Sequence, residues 1–279
     1  MSFAGCSPEI FIPKIASETS SIRVGSGGVM LMHYSPYKVA ENFRLLESLY
    51  PKRIDLGLGR APGSDPYQAG ALAYGSKTTG PDFFPTKMND LQSFLHGNIP
   101  DTDAFKTVNV TPGLGNVPET WLLVSSKQGA EYAAHFGLPM SLAYFIDQDC
   151  LPLADFYRKN FTPSDFSSKP RVSVGVFAIC AETDEQAADL SSSASLWRKK
   201  IQLGDFSPFP TQSEAKSALN GNISTPADNR SFIGSPKTIK KALQPLLDQT
   251  QAEELKIVTI CEPFSSRAES YRLIRELFS

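Results

Sequence analysis

The stretch IDLGLGRAPG, residues 54–63, carries the strongest indication of the fold. Bulky isoleucine and leucine alternate with Asp55, Gly57 and Gly59, so a β-strand here has one bulky face and one nearly bare face. A bare glycine face lets a flat ligand approach the backbone. Arg60 follows at the carboxyl end of the strand, where its guanidinium could bind a phosphate through two parallel hydrogen bonds. A surface arginine paired with a carboxylate is the alternative, and the spacing alone leaves both open.

Five other runs rich in β-branched and apolar residues also predict strands. Most are apolar without alternation, which is typical of buried strands in a parallel sheet. Helical patterns lie between them, and Ser35-Pro36 and Ser235-Pro236 each combine an N-cap residue with proline at the first helical position. The other predicted strands are 22–31, 120–125, 140–146, 171–180 and 255–261, and further helices are predicted at 7–18, 127–136, 183–201 and 265–278.

The alternation of strands and helices predicts an α/β fold with a parallel sheet and helical crossovers. An open doubly wound sheet and a barrel both fit; six strands suit the open sheet, because a closed (β/α)₈ barrel needs eight. The glycine runs at 25–28 and 57–63 lack the G-x-G-x-x-G spacing of a dinucleotide site. The connections 60–118 and 202–233 are unusually long, so they are candidates for lids, binding loops or surface elaborations.

The composition of the 279 residues argues against several classes of partner. The net charge is −2 and no stretch is dense in Lys or Arg, so we expect neither nucleic acid nor a membrane surface as partner. No apolar run approaches the roughly 18 residues that span a bilayer. The first residues carry no export signal, so a cytoplasmic protein is expected. Four scattered cysteines and only three histidines predict free, buried thiols and no metal site.

Two further segments could contribute to a binding site. A predicted strand runs directly into Ser125 and Ser126 and then into a helix, and hydroxyls with free N–H groups at a helix N-terminus form an anion site. An ordinary N-cap would use the same serines. Gly25, Gly27 and Gly28 interrupt the first predicted strand, which indicates a bulge, a strained peptide or close ligand approach. Together these features suggest a barrel that binds a planar phosphorylated cofactor, although no catalytic residue can be assigned.

Six blocks of the sequence resemble the bacterial luciferase-like, FMN-dependent monooxygenases, which are (β/α)₈ barrels. The blocks are RVGSGGVML (23–31), ENFRLLESLYPKRIDLGLGRAPGSD (41–65), PETWLLVSS (118–126), YAAHFGLPM (132–140), FIGSPKTI (232–239) and SYRLIRELF (270–278). The resemblance implies that reduced FMN and O₂ oxygenate a small organic substrate, with the reduced flavin supplied by a separate flavin reductase. A deazaflavin or a sugar phosphate would share the phosphate chemistry but fits the blocks less well.

The resemblance also implies a cofactor-binding role for individual residues. Arg60 matches the arginine that binds the FMN phosphate, and Ser125 and Ser126 match the phosphate-binding loop. Gly27 and Gly28 fall where the family has a non-prolyl cis peptide under the isoalloxazine ring.

Two more glycines are informative by the same resemblance. Gly59 occupies the position where luciferases place a reactive cysteine near the flavin, so no thiol chemistry is implied here. Gly129 departs from the family pattern, which often has a hydroxyl residue at this point of the loop. The loss of one phosphate hydrogen bond would cost about 1 kcal/mol.

The family opens with a strand, a helix and a second strand before a segment like SFAGCSPE, with which this sequence starts. The resemblance therefore predicts one barrel domain over residues 1–279 that lacks the first strand-helix-strand, with insertions at about 61–118 and 202–233 and about six of eight strands.

Two hypotheses follow from this. The chain is a flavin-dependent monooxygenase that retains enough of the site or is completed by a partner chain, or it is a truncated, non-catalytic flavin-binding remnant. A dimer of like or unlike chains is left open.

Overall fold

The computed structural model describes residues 7–61, 63, 66–77, 80–113, 115–205, 207–218 and 231–278. Cys6, most of the segment SFAGCSPE and residues 219–230 of the second predicted insertion lie outside the described residues. The chain divides into two compact units, Met1–Met140 with Tyr157–Pro170, and Ser141–Phe156 with Arg171–Ser279.

The strands of the first unit are centred on the glycine-rich stretch. Both β1 (Val24–Gly25) and β2 (Val29–Met30) pair with β3 (Ile54–Gly59), and β3 pairs with β4 (Glu119–Val124), all in parallel. The predicted strand at 22–31 is thus divided into β1 and β2, which lie end to end along β3.

Helices follow these strands as the sequence pattern predicts. The helices of this unit are α1 (Pro8–Ser17), α2 (Pro36–Leu49), α3 (Pro66–Leu72), α4 (Phe84–His96) and α5 (Lys127–His135), with 3₁₀ turns at Leu31–His33 and Pro81–Phe83. The first predicted insertion therefore contains two helices that were not predicted, α3 and α4.

The core of the first unit consists of the bulky faces that the sequence analysis identified. Ile54, Leu56 and Leu58 of β3 are fully buried, and so are Val39 and Phe43 on one face of α2. Burying a side chain of this size contributes about 1.5 to 3 kcal/mol to folding. The apolar residues recur every 3.6 residues along the helix and every 2 residues along the strand, so they form one face of each element, and these faces pack in the core.

The second unit repeats the pattern of parallel strands and helices. The strand β6 (Val172–Cys180) pairs in parallel with β7 (Ser231–Gly234) and with β8 (Glu254–Val258). The other helices of this unit are α7 (Asp184–Gln202), α8 (Gln212–Ala218), α9 (Pro236–Thr250) and α10 (Phe264–Phe278), with a 3₁₀ turn at Gln148–Cys150. Two elements, β5 (Met140–Ala143) and α6 (Leu153–Asn160), have residues in both units.

The prediction of an α/β fold with parallel strands is confirmed. The strand prediction needs two corrections, because the run at 22–31 forms two short strands and because β7 was not predicted. In the part of the chain that the structure describes, no helix is both long enough and apolar enough to cross a membrane.

Candidate functional site

Three glycines of the first unit are required by the close approach of neighbouring strands. A Cβ atom added to Gly25 would lie 2.3 Å from the carbonyl oxygen of Asp55, and one added to Gly28 would lie 2.7 Å from that of Gly57. A Cβ on Gly57 would lie 2.1 Å from the carbonyl oxygen of Ser26. These separations are too short for any side chain, so packing alone explains glycine at all three positions.

Gly27 and Gly59 differ, because packing does not explain them. A Cβ atom added to Gly27 would meet no atom within 4 Å, and one added to Gly59 would approach only the Val29 carbonyl oxygen, at 4.0 Å. Gly59 lies at the carboxyl end of β3, where parallel α/β folds build their sites, and Gly27 lies in the chain between β1 and β2. No atom lies closer than 4.0 Å to an added Cβ atom at either position, and we call these two residues the open glycine face.

The chain between β1 and β2 is fixed to β3 by a side chain that the sequence analysis did not single out. The buried Ser26 hydroxyl donates to the Gly57 carbonyl oxygen at 2.9 Å and accepts from the Gly57 N–H at 3.1 Å. The peptide between Gly27 and Gly28 is cis, as the resemblance implied. A hydroxyl in this position replaces the ladder bonds that the interrupted strand lacks.

Arg60 lies at the carboxyl end of β3, directly after the open glycine face. Its guanidinium donates to Oε1 of Gln128 in the first turn of α5, and its Cζ lies 5.9 Å from the centre of the Tyr132 ring. The Gln128 amide in turn donates to the Tyr132 hydroxyl at 3.3 Å. No carboxylate pairs with Arg60 among the described residues. The half-buried guanidinium is thus held by an amide and a ring, and its charge is not neutralised by them.

The start of α5 is the ordinary N-cap that the sequence also allowed. Ser126 is the N-cap residue, and its Oγ accepts from the Gly129 N–H at 3.3 Å. Gly129 lies close to β4, because a Cβ atom there would be 3.1 Å from Cγ1 of Val124. Ser125 precedes the cap and is half-buried. Capping satisfies one N–H of the first turn and leaves the hydroxyl able to donate, so it does not preclude an anion site.

The structure brings the end of β3 and the start of α5 together. The hydrogen bond from Arg60 to Gln128 joins these two segments, so the guanidinium lies beside the helix turn that Ser126 caps. Sequence reasoning missed Gln128 and Tyr132, although their spacing of four places them on one face of α5. A positive guanidinium, hydroxyls and a helix N-terminus suit a phosphate, and the adjacent open glycine face suits a flat ring.

The described cysteines are unsuited to nucleophilic chemistry. Cys150, Cys180 and Cys261 are free and buried. Burial raises the pKa of Cys150 to about 12 and that of Cys180 to about 11. Because the thiolate is the reactive form, both thiols are unreactive near neutral pH.

Comparison with known proteins gives matches along nearly the whole chain. Residues 11–249 match the family described as luciferase-like monooxygenase. The uncharacterized protein YwcH of Bacillus subtilis (strain 168) is 39% identical over 286 residues, which cover 99% of this chain and 84% of that protein. A luciferase-like monooxygenase of Escherichia coli (strain K12) is 32% identical over 280 residues, covering 98% of this chain and 82% of that protein.

Solved structures agree in fold. Apo-MsnO8 has a TM-score of 0.86 with 36% identity and covers 98% of this chain and 82% of its own. The oxygenating constituent of 3,6-diketocamphane monooxygenase, solved with FMN, has a TM-score of 0.68 at 17% identity, and the match covers 96% of this chain and 82% of that one. An F420-dependent secondary alcohol dehydrogenase has a TM-score of 0.66 at 11% identity, and the match covers 99% of this chain and 85% of that one. At such low identities the last two show likeness of fold alone.

Proposed function

This chain belongs to the luciferase-like monooxygenase family, and from that premise we propose that it is a flavin-dependent oxidoreductase that uses reduced FMN and O₂ to oxygenate a small organic substrate. The observation that carries the proposal is the hydrogen bond from Arg60 to Gln128, which joins the positive charge of Arg60 to the start of α5 beside the open glycine face. This combination supports the proposal, because a guanidinium at a helix N-terminus suits a phosphate and an adjacent surface without side chains suits a flat ring.

The residues of this chain would bind and orient the cofactor in three ways. The Arg60 guanidinium and the hydroxyls of Ser125 and Ser126 would donate to the FMN phosphate, and the N-terminus of α5 would favour its negative charge. Gly27 and Gly59 would leave room for the isoalloxazine ring. When bound, reduced FMN supplies the electrons with which O₂ is activated.

Because Arg60 and the start of α5 lie next to the open glycine face, we also propose that the ligand is FMN rather than riboflavin. Without the phosphate, a flavin would leave Arg60 and the start of α5 without an anionic partner, although it could still occupy the open glycine face.

We propose that a separate flavin reductase supplies the reduced cofactor and that the protein acts in the cytoplasm. A deazaflavin is the second candidate, because it would use the same phosphate chemistry and because one structure of like fold is F420-dependent.

Ligand binding and turnover test the proposal separately. The purified chain is titrated with FMN, riboflavin and F420, with quenching of cofactor fluorescence as the signal. We expect FMN to bind most tightly, with a Kd below about 1 mM. The chain is then supplied with FMN, NADH, a flavin reductase and a panel of small organic substrates under ¹⁸O₂. Label in a product shows oxygenation, whereas flavin binding without any labelled product would favour a non-catalytic remnant.

Preference for F420 over FMN would make the protein a deazaflavin enzyme. Failure to bind any of the three ligands would refute the proposed function.

A further inference from the structure

A buried lysine of α4 has no role in the site described so far. Lys87 is only 9% exposed, and no carboxylate pairs with it among the residues that the structure describes. Burial lowers the pKa of its ammonium group, because the charged form loses hydration. A buried charge of this kind persists only where other groups compensate for the lost water.

The compensation comes from three backbone carbonyls. The Lys87 ammonium donates to the carbonyl oxygen of Met32 at 2.8 Å and to that of Tyr34 at 3.0 Å, with a longer contact to Leu31 at 3.4 Å. These carbonyls belong to the 3₁₀ turn Leu31–His33 and the residue after it. The Leu31 carbonyl oxygen already accepts from the Tyr34 N–H at 3.2 Å, so the ammonium group acts mainly on the carbonyl oxygens of Met32 and Tyr34.

The turn that Lys87 holds continues directly from the open glycine face. Val29 and Met30 of β2 follow the Gly27–Gly28 peptide and lie in register with Leu58 and Gly59 of β3. The turn begins at the next residue. A displacement of the turn would therefore also displace β2. Because β2 is joined to the Gly27–Gly28 peptide and paired with β3, Gly27 and Gly59 would be displaced as well.

We propose that Lys87 is a positioning residue for the cofactor site, which fixes the backbone after Gly27 and Gly28 so that the open glycine face stays aligned with Arg60. This inference rests on the proposed function. It assigns a function to α4, a helix within the first predicted insertion.

The test compares two substitutions in α4. Lys87→Met keeps the apolar stem and removes the ammonium group, whereas Leu91→Ala truncates a fully buried side chain of the same helix. We expect Lys87→Met to raise the Kd for FMN about tenfold and to change the visible circular dichroism of the saturated FMN complex. Leu91→Ala should lower the Tm at least as much, while the Kd and the dichroism spectrum stay at wild-type values.

A second measurement uses the wild-type protein and does not depend on the folding of a variant. Backbone amides of residues 29–34 should exchange more slowly with solvent when FMN is bound, because ligand and ammonium group would then restrain the same segment.

Each outcome decides the inference. An unchanged Kd and dichroism spectrum in folded Lys87→Met, or equal effects in Leu91→Ala, would overturn it. If Lys87→Met does not fold, unchanged exchange of residues 29–34 on FMN binding would overturn it instead, and slower exchange would support it. Failure of the wild type to bind FMN would refute the proposed function first and the role of Lys87 with it.

Discussion

Replacing Arg60 by alanine should weaken the binding of FMN and leave the binding of riboflavin nearly unchanged. A hydrogen bond to a charged group contributes about 1.5 to 3 kcal/mol, which corresponds to a change in Kd of about 10- to 150-fold. Arg60 is half-buried, so water screens part of its charge and we expect the lower half of that range. Its contacts with Gln128 and Tyr132 hold the guanidinium in place before the ligand arrives, so little side-chain entropy is lost on binding.

The assay is a fluorescence titration at 25 °C with both ligands, which differ only in the phosphate. Arg272→Ala is a matched control, since it removes the same charge from the exposed surface of α10, where Arg272 pairs with Glu269 and Glu276. Gln128→Ala keeps the Arg60 charge but removes its hydrogen-bond partner, so a smaller loss of FMN affinity is expected. Raising the salt concentration should narrow the difference between wild type and Arg60→Ala.

Two results would refute this reasoning about Arg60. Unchanged FMN affinity in Arg60→Ala would show that the guanidinium does not contact the phosphate. An equal loss of affinity for FMN and riboflavin would show that Arg60 acts on the fold or on the ring site.

Four further outcomes are expected. Gly57→Ala should lower the free energy of unfolding by about 1 to 3 kcal/mol or more, because a side chain there collides with the backbone. Gly59→Ala should leave the Tm close to wild type. A lower Tm for Gly59→Ala than for Gly57→Ala would contradict the distinction between the two glycines. Ser126→Ala should cost about 1 kcal/mol of stability through loss of the α5 cap, measurable by urea unfolding. Cys150 should resist iodoacetamide at about pH 8 in the native protein and react after denaturation, because its pKa is raised to about 12; mass spectrometry after a short pulse would detect early labelling. Burial lowers the pKa of His96, so the unfolded chain takes up the proton more readily and stability should fall as the pH drops below about 6.5; His96→Gln should flatten this part of the stability profile, and an unchanged slope would count against it.

The sequence predicted the long, periodic elements well. The face of α2 with Val39 and Phe43 and the bulky face of β3 are buried as their periods require. The strand β7 was missed because its 4 residues, Ser231–Gly234, directly follow a stretch rich in Pro, Ser and Asn, and residues 231–233 fall within the predicted connection 202–233. Helix α4 was missed for another reason. Met88, Leu91 and Leu95 do have helical spacing, but they lie within 60–118, which the strand pattern predicts as a connection.

The candidate site could be predicted only in part. The resemblance pointed to Arg60 and to the serines before α5, since these lie in recognisable blocks of sequence. The hydrogen bond from Arg60 to Gln128 spans 68 residues of chain, and no local pattern encodes it. Nor could the sequence separate the two kinds of glycine. Whether a glycine is required by packing or leaves open space depends on the distance between strands, which is a tertiary property.

The Cβ environments of the glycines have a practical consequence for directed evolution. In a library that varies Gly28 and Gly57, most members would be lost as unfolded protein before any activity could be scored. The same library at Gly27 and Gly59 would yield folded protein, and each added side chain would extend into the space proposed for the cofactor. Selection for altered chemistry is therefore best confined to residues 27 and 59, where foldability and function can be changed independently.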